Sequence, residues 1–165
     1  MNYRRVLVPV DGSPVAEGVI PFLLDIAGPL DMQMILLRVV TPVLPPADAG
    51  APRILVEDLA ARTAEARDYL ATIAADLLAR GVRVQTRVSS GTPVTEILAA
   101  ARDSAVDLIA MTTHGRRGVS RLVFGSVAEA VVRLAECPIL LVRLTAADAH
   151  IRAAARDREA HASAA

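Results

Sequence analysis

The chain has 165 residues and a formal net charge of zero, with 18 Arg, no Lys, three His and one Cys. It is long enough for one domain with a real core, and its neutral balance argues against a global field for nucleic acid or an acidic membrane surface. The missing lysine excludes the Walker-type phosphate loop, Schiff-base chemistry and the receiver-domain phosphorylation switch, and the lone Cys137 excludes an internal disulfide and a multi-cysteine metal site.

Hydrophobic residues make up 53% of the chain and aromatics 2%, so the core must be built from Val, Leu, Ile and Ala. Arg5 to Val10 is a β-branched run ended by Asp11-Gly12. That apolar run is too short for a signal-peptide core or a membrane span, which points to a cytoplasmic protein. Ser13-Pro14 supplies an N-cap and a proline at the first helical position, opening a helix to about Ala27 that Gly28-Pro29 stops. Met32 to Val40 reads as the second strand. Residues 41–52 hold Pro42, Pro45, Pro46, Gly50 and Pro52 and read as a loop. An Ala-rich helix follows from about Arg53 to Arg80, stopped by Gly81.

Val82, Val84, Thr86 and Val88 then alternate with Arg83, Gln85 and Arg87, the period of a strand with one wet face near a sheet edge. Thr92-Pro93 caps a third helix to about Arg102. Asp107 to Met111 is the fourth strand, Gly125 to about Ala135 the fourth helix and Pro138 to Leu144 the fifth strand. Residues 145–165 are Ala-rich and polar with no apolar stripe, a frayed helix or a disordered tail. The expected organisation is therefore an α/β domain over 1–144 with a tail over 145–165.

Alternating strands and helices argue for a doubly wound, five-stranded parallel sheet with helices on both faces. Right-handed crossovers shorten the list of strand orders, and any ligand lies beyond the carboxyl ends of the strands, where the order reverses. The order 3-2-1-4-5 puts that point between strands one and four. There Pro9-Val10-Asp11-Gly12 meets Thr113-His114-Gly115-Arg116-Arg117-Gly118 and the helix start at Gly125-Ser126.

A strand, a glycine-studded loop and a helix start together make an anion cradle. Glycine lets the backbone approach a ligand closely, and the first N–H groups of a helix have no partner inside it. Ser126-Val127-Ala128-Glu129 also reads as a capping box, so Ser126 serves the helix, a phosphate or both, while Glu129 is structural. Arg116, Arg117 and Arg121 either balance phosphate charge or form a solvated loop surface. His114 shapes the loop or touches a phosphate, since no second His, Cys or carboxylate stands at metal spacing. Asp11 is either a turn residue or part of the pocket. Cys137 reads as a buried structural thiol. No Gly-x-Ser-x-Gly, cysteine–histidine pair or Gly-x-Gly-x-x-Gly after strand one suggests a catalytic constellation.

Gly115, nine further residues and Gly125-Ser126, together with Val8-Pro9-Val10-Asp11-Gly12-Ser13 and Ile139-Leu140-Leu141-Val142, resemble the universal stress protein (UspA) family, from Arg4 to Arg143. The nucleotide-binding branch carries Gly-x-x-Gly-x9-Gly-(Ser/Thr), and this chain departs from it with Thr112 at the first glycine. A side chain there either crowds the ligand or lines the pocket with a hydroxyl. The resemblance implies a homodimer-forming, flavodoxin-like α/β domain that binds ATP in one branch of the family and nothing known in the other. The chain is accordingly expected to be a cytoplasmic sensor in stress response that holds ATP with Mg²⁺, and, with no catalytic constellation visible, not an enzyme. The resemblance places Pro9 and Asp11 at base and ribose, with Val10 between them also counted as cofactor-binding, the Val39 backbone at the adenine, and Met111 and Thr112 under the sugar. Gly115, Gly125, Ser126 and Val127 would hold the phosphates, and His114, Arg117 and Gly118 of the same loop are counted among the cofactor-binding residues. Ala128 stands where ATP binders often have threonine. The alternative is a dimeric interaction protein of the same fold that binds no nucleotide.

The fifth strand carries a separate expectation. In the order 3-2-1-4-5 it is an edge, yet Ile139, Leu140, Leu141 and Val142 are apolar on both faces. Soluble proteins cover or charge such an edge. A second copy pairing strand five to strand five about a two-fold axis would cover it.

Overall fold

The computed structural model describes residues 3–27, 31–42, 52–114 and 125–144. In chain order the elements are β1 (Arg5–Val10), α1 (Pro14–Glu17), α2 (Ile20–Ala27), β2 (Gln33–Val40), α3 (Pro52–Ala79), β3 (Arg83–Ser90), α4 (Pro93–Asp103), β4 (Leu108–His114), α5 (Ser126–Leu134) and β5 (Ile139–Leu144). The five strands form one parallel sheet in the order β3-β2-β1-β4-β5. That is the doubly wound arrangement expected from the alternation of elements.

The pleat divides β1 between two cores. Val6, Val8 and Val10 face α2 and α3, joined by Leu23, Leu36, Leu70 and Leu77. Leu7 faces α4 and α5, with Leu37, Ile97, Ile109, Met111 and Val131. Strand β5 divides the same way, Leu140 and Val142 packing on the first core and Ile139 and Leu141 on the second. No described helix is long and apolar enough to cross a membrane.

Two elements differ from the reading of the sequence. The helix expected from Ser13 to Ala27 breaks in two at Gly18-Val19. Its start is as expected: Ser13 Oγ accepts the Ala16 N–H at 3.1 Å, with Pro14 in the first turn. The break follows from Pro21, which has no N–H to reach the Glu17 carbonyl four residues back, so α1 ends at Glu17. Gly18 lies so close to Leu144 of β5 that a β-carbon would overlap its side chain. The fourth strand runs on past Met111 to His114, because Thr112, Thr113 and His114 pair with Val142, Arg143 and Leu144. Thr113 and His114 are therefore strand residues rather than loop residues.

The edges differ as the sequence suggested. On β3, Arg83 and Gln85 are exposed, Arg83 donates to the Asp31 carbonyl and pairs with its carboxylate, and Arg87 pairs with Asp103 at 2.8 Å. On β5, Ile139 through Val142 are each half-buried. The tail at 145–165, with His150 and His161, lies outside the described residues.

Candidate functional site

The site begins where β1 and β4 part. They pair through Val6–Leu108 and Leu7–Ile109, and Pro9 brings no N–H to continue the ladder. At the other end the seam is fastened: the Asp107 carboxylate accepts the Arg4 and Arg5 N–H groups at 2.7 and 2.9 Å. Those two backbone bonds hold its carboxyl below the usual carboxylate range.

Beyond the carboxyl ends of the strands lies a cavity of about 300 Å³. Pro9, Val10 and Asp11 line it from β1 and its loop, Val39 from β2, Met111 and Thr112 from β4, and Gly125, Ser126 and Val127 from the start of α5. The sequence reading had brought these nine together from four separate segments. The side chain of His114, and Gly115, Arg117 and Gly118 entirely, lie outside the described residues, as do Arg116 and Arg121.

Six lining residues were not singled out as contacts: Ala16, Leu37, Arg38, Pro93, Ile97 and Ala128. Leu37 and Ile97 read from sequence only as core, and Pro93 only as the start of a helix. Arg38 carried a usable signal, a charge interrupting the apolar run from Met34 to Val40 near the end of its strand.

The chemistry of the lining is mixed. Its apolar walls, Leu37, Val39, Ile97, Met111 and Val127, suit a flat heterocycle. Its polar groups include the Asp11 carboxylate, the Thr112 and Ser126 hydroxyls and Arg38. Asp11 Oδ1 accepts the Ser13 N–H at 2.9 Å, which fixes the turn. Gly12 follows at φ +85, a conformation side chains rarely adopt. Behind this turn Tyr69 donates to Glu17 Oε1 at 2.9 Å. Burial, then the Glu17 carboxylate, push the phenol well above its usual range.

One expectation at α5 is corrected. The capping box does not form: Gly125 is the N-cap and makes no side-chain bond, Ser126 already lies inside the helix, and Glu129 pairs with Arg133 at 2.7 Å. The Ser126 hydroxyl is thereby released from capping, on an exposed residue at the cavity. Gly125 has a relaxed backbone, with φ −59, and a β-carbon there would meet nothing among the described residues within 4 Å. Its smallness leaves room on the cavity side.

Cys137 is a half-buried free thiol in a second cavity of about 200 Å³, lined from α4 by Leu98, Ala101 and Arg102. Burial pushes its pKa up, so it stays a thiol.

The fold recurs among known proteins. Universal stress protein MJ0531 of Methanocaldococcus jannaschii is 32% identical over 143 residues, covering 86% of this chain and 82% of the relative. The solved structure of the hypothetical protein MJ0577 superposes with a TM-score of 0.72 at 26% identity, covering 87% of this chain and 98% of the other. An Arabidopsis thaliana universal stress protein family structure described as having AMP bound has a TM-score of 0.62 at 20% identity, covering 85% and 91%. Residues 2–143 match the universal stress protein family as a whole. By that match and by its sheet order, this chain belongs to the universal stress protein family.

Proposed function

We propose that the chain binds ATP in the cavity between β1 and β4 and acts as a nucleotide-dependent regulator in stress response. The observation that carries the reading is the meeting of Asp11, Val39, Thr112 and Ser126, from four distant segments, around one cavity at the switch point of the sheet. The apolar walls would take the adenine, and the free N–H groups at the start of α5 would face the phosphates. A neighbour of the same fold is described as holding AMP.

Magnesium fits only as part of a metal–nucleotide complex. Among the described residues no three His, Cys, Asp or Glu come together, whereas Mg²⁺ needs only one or two carboxylates when phosphates and waters complete its shell. Asp11 is the carboxylate on the described lining. The reading is of a binding protein in the cytoplasm, without sustained phosphate release. Calorimetry with ATP and Mg²⁺ tests it, together with mass spectrometry of any small molecule freed by denaturing the purified protein. Absence of both binding and a released nucleotide would leave the empty-pocket alternative.

The same reading includes a homodimer through β5. Its support is the edge position and the half-buried state of Ile139, Leu140, Leu141 and Val142. Sedimentation at micromolar concentration should show a dimer for the parent and a monomer or aggregate for Leu141→Arg. A parent monomer would sink this part.

A further inference from the structure

Arg38 is a charge set near the end of an interior strand. Around it Met34, Leu36, Leu37 and Val40 are buried, and burying an unpaired cation is costly. Arg38 is one of the residues that line the cavity at the carboxyl ends. None of the ion pairs among the described residues includes it, whereas Arg87 on the neighbouring strand pairs with Asp103.

Its guanidinium lies against the Asp11–Gly12 turn. A β-carbon on Gly12 would stand 3.7 Å from Arg38 Nη2, in ordinary contact, so the turn and the guanidinium are direct neighbours. Nearby, Asp11 is engaged with the Ser13 N–H and Glu17 with the Tyr69 hydroxyl. Arg38 is the cationic side chain on the described lining, and it is set by the sheet rather than by the glycine loop.

We infer that Arg38 is the specificity-determining cation of this cavity, selecting phosphorylated nucleosides over the uncharged nucleoside. This rests on the nucleotide reading above and adds to it a residue and a discrimination. A guanidinium forms paired, charge-assisted bonds with phosphate oxygens that it cannot form with a neutral ligand. The side chain would therefore contribute to ATP and AMP affinity and leave adenosine affinity alone.

The test compares adenosine, AMP and ATP by calorimetry on the parent, Arg38→Gln and Arg38→Lys, with thermal melts as a check on folding. Arg38→Gln should lower ATP and AMP affinity at least tenfold and change adenosine affinity less than twofold. It should also flatten the salt dependence of ATP binding, since one charge pair subject to screening is gone. Arg38→Lys should keep part of the preference. Equal losses for all three ligands would show a merely structural role, and unchanged ATP and AMP affinity would overturn the inference while leaving the nucleotide reading intact. A parent that binds none of the three would instead remove that reading, and the inference with it.

Discussion

The seam between β1 and β4 is closed at one end and open at the other. At the closed end Asp107 clamps two backbone N–H groups of the neighbouring strand, and Leu7 and Ile109 pair with both side chains fully buried. At the open end Pro9, Val10, Met111 and Thr112 line a cavity instead. The same two strands thus supply stability in one half and a site in the other. Substitutions at the two ends should then have opposite signatures, stability at one and ligand affinity at the other.

The largest expected effect lies at the closed end. Ile109→Ala removes a fully buried side chain next to the seam and should cost about 3 kcal/mol in chemical denaturation. ATP affinity of the folded fraction should stay within twofold. A large affinity loss there would erase the distinction between the ends.

At the open end Gly125→Val should do the reverse. A β-carbon there meets no atom of the described residues within 4 Å and the backbone is relaxed, so stability should fall by less than about 1 kcal/mol, the scale of an N-cap change. ATP affinity should fall at least tenfold in calorimetry. Parent-like binding would remove the phosphates from this end of the cavity.

Asp107→Ala is the milder test of the clamp. Losing two partly exposed hydrogen bonds should cost about 1 kcal/mol. The sign with pH follows from the lowered carboxyl. Its folded pKa lies below the unfolded one, so its contribution is present above the ordinary aspartate value of about 4 and is lost as pH falls below it. The melting temperatures of parent and variant should therefore converge in acid. A gap that persists in acid below the folded pKa would assign the effect to packing.

The smallest expected effect is at Thr112, half-buried on the lining. Thr112→Gly should leave ATP affinity equal or raise it by less than about threefold, on the scale of one relieved contact. A marked loss in calorimetry would make the Thr112 hydroxyl a ligand contact.

Much of this design was legible before any coordinates. Alternating strand and helix signals lead to a doubly wound parallel sheet, with crossover handedness narrowing its strand order, and Ser13-Pro14 marks a helix start by chemistry that acts within four residues. The lining residues Pro9, Asp11, Val39, Gly125 and Ser126 followed from the resemblance and the switch-point rule. Pro21 was equally local, and its missing N–H explains a break that the apolar pattern of Val19, Ile20, Leu23 and Leu24 conceals.

What the tertiary structure alone decided involves partners far away in the chain. Strand β4 reaches His114 because β5 offers Val142 to Leu144 as a ladder, and Gly18 stays small because Leu144 packs on it. Ser126 lies one residue inside its helix, which leaves the cap to Gly125 and the hydroxyl to the cavity. Arg38 reads locally as an odd charge in a strand, and becomes a candidate contact only when the Asp11–Gly12 turn is folded against it. Propensity, capping and turn chemistry act over a few residues and are written in the sequence; register, close approach and the facing of a charge depend on which distant segment arrives, and only the packed sheet brings it there.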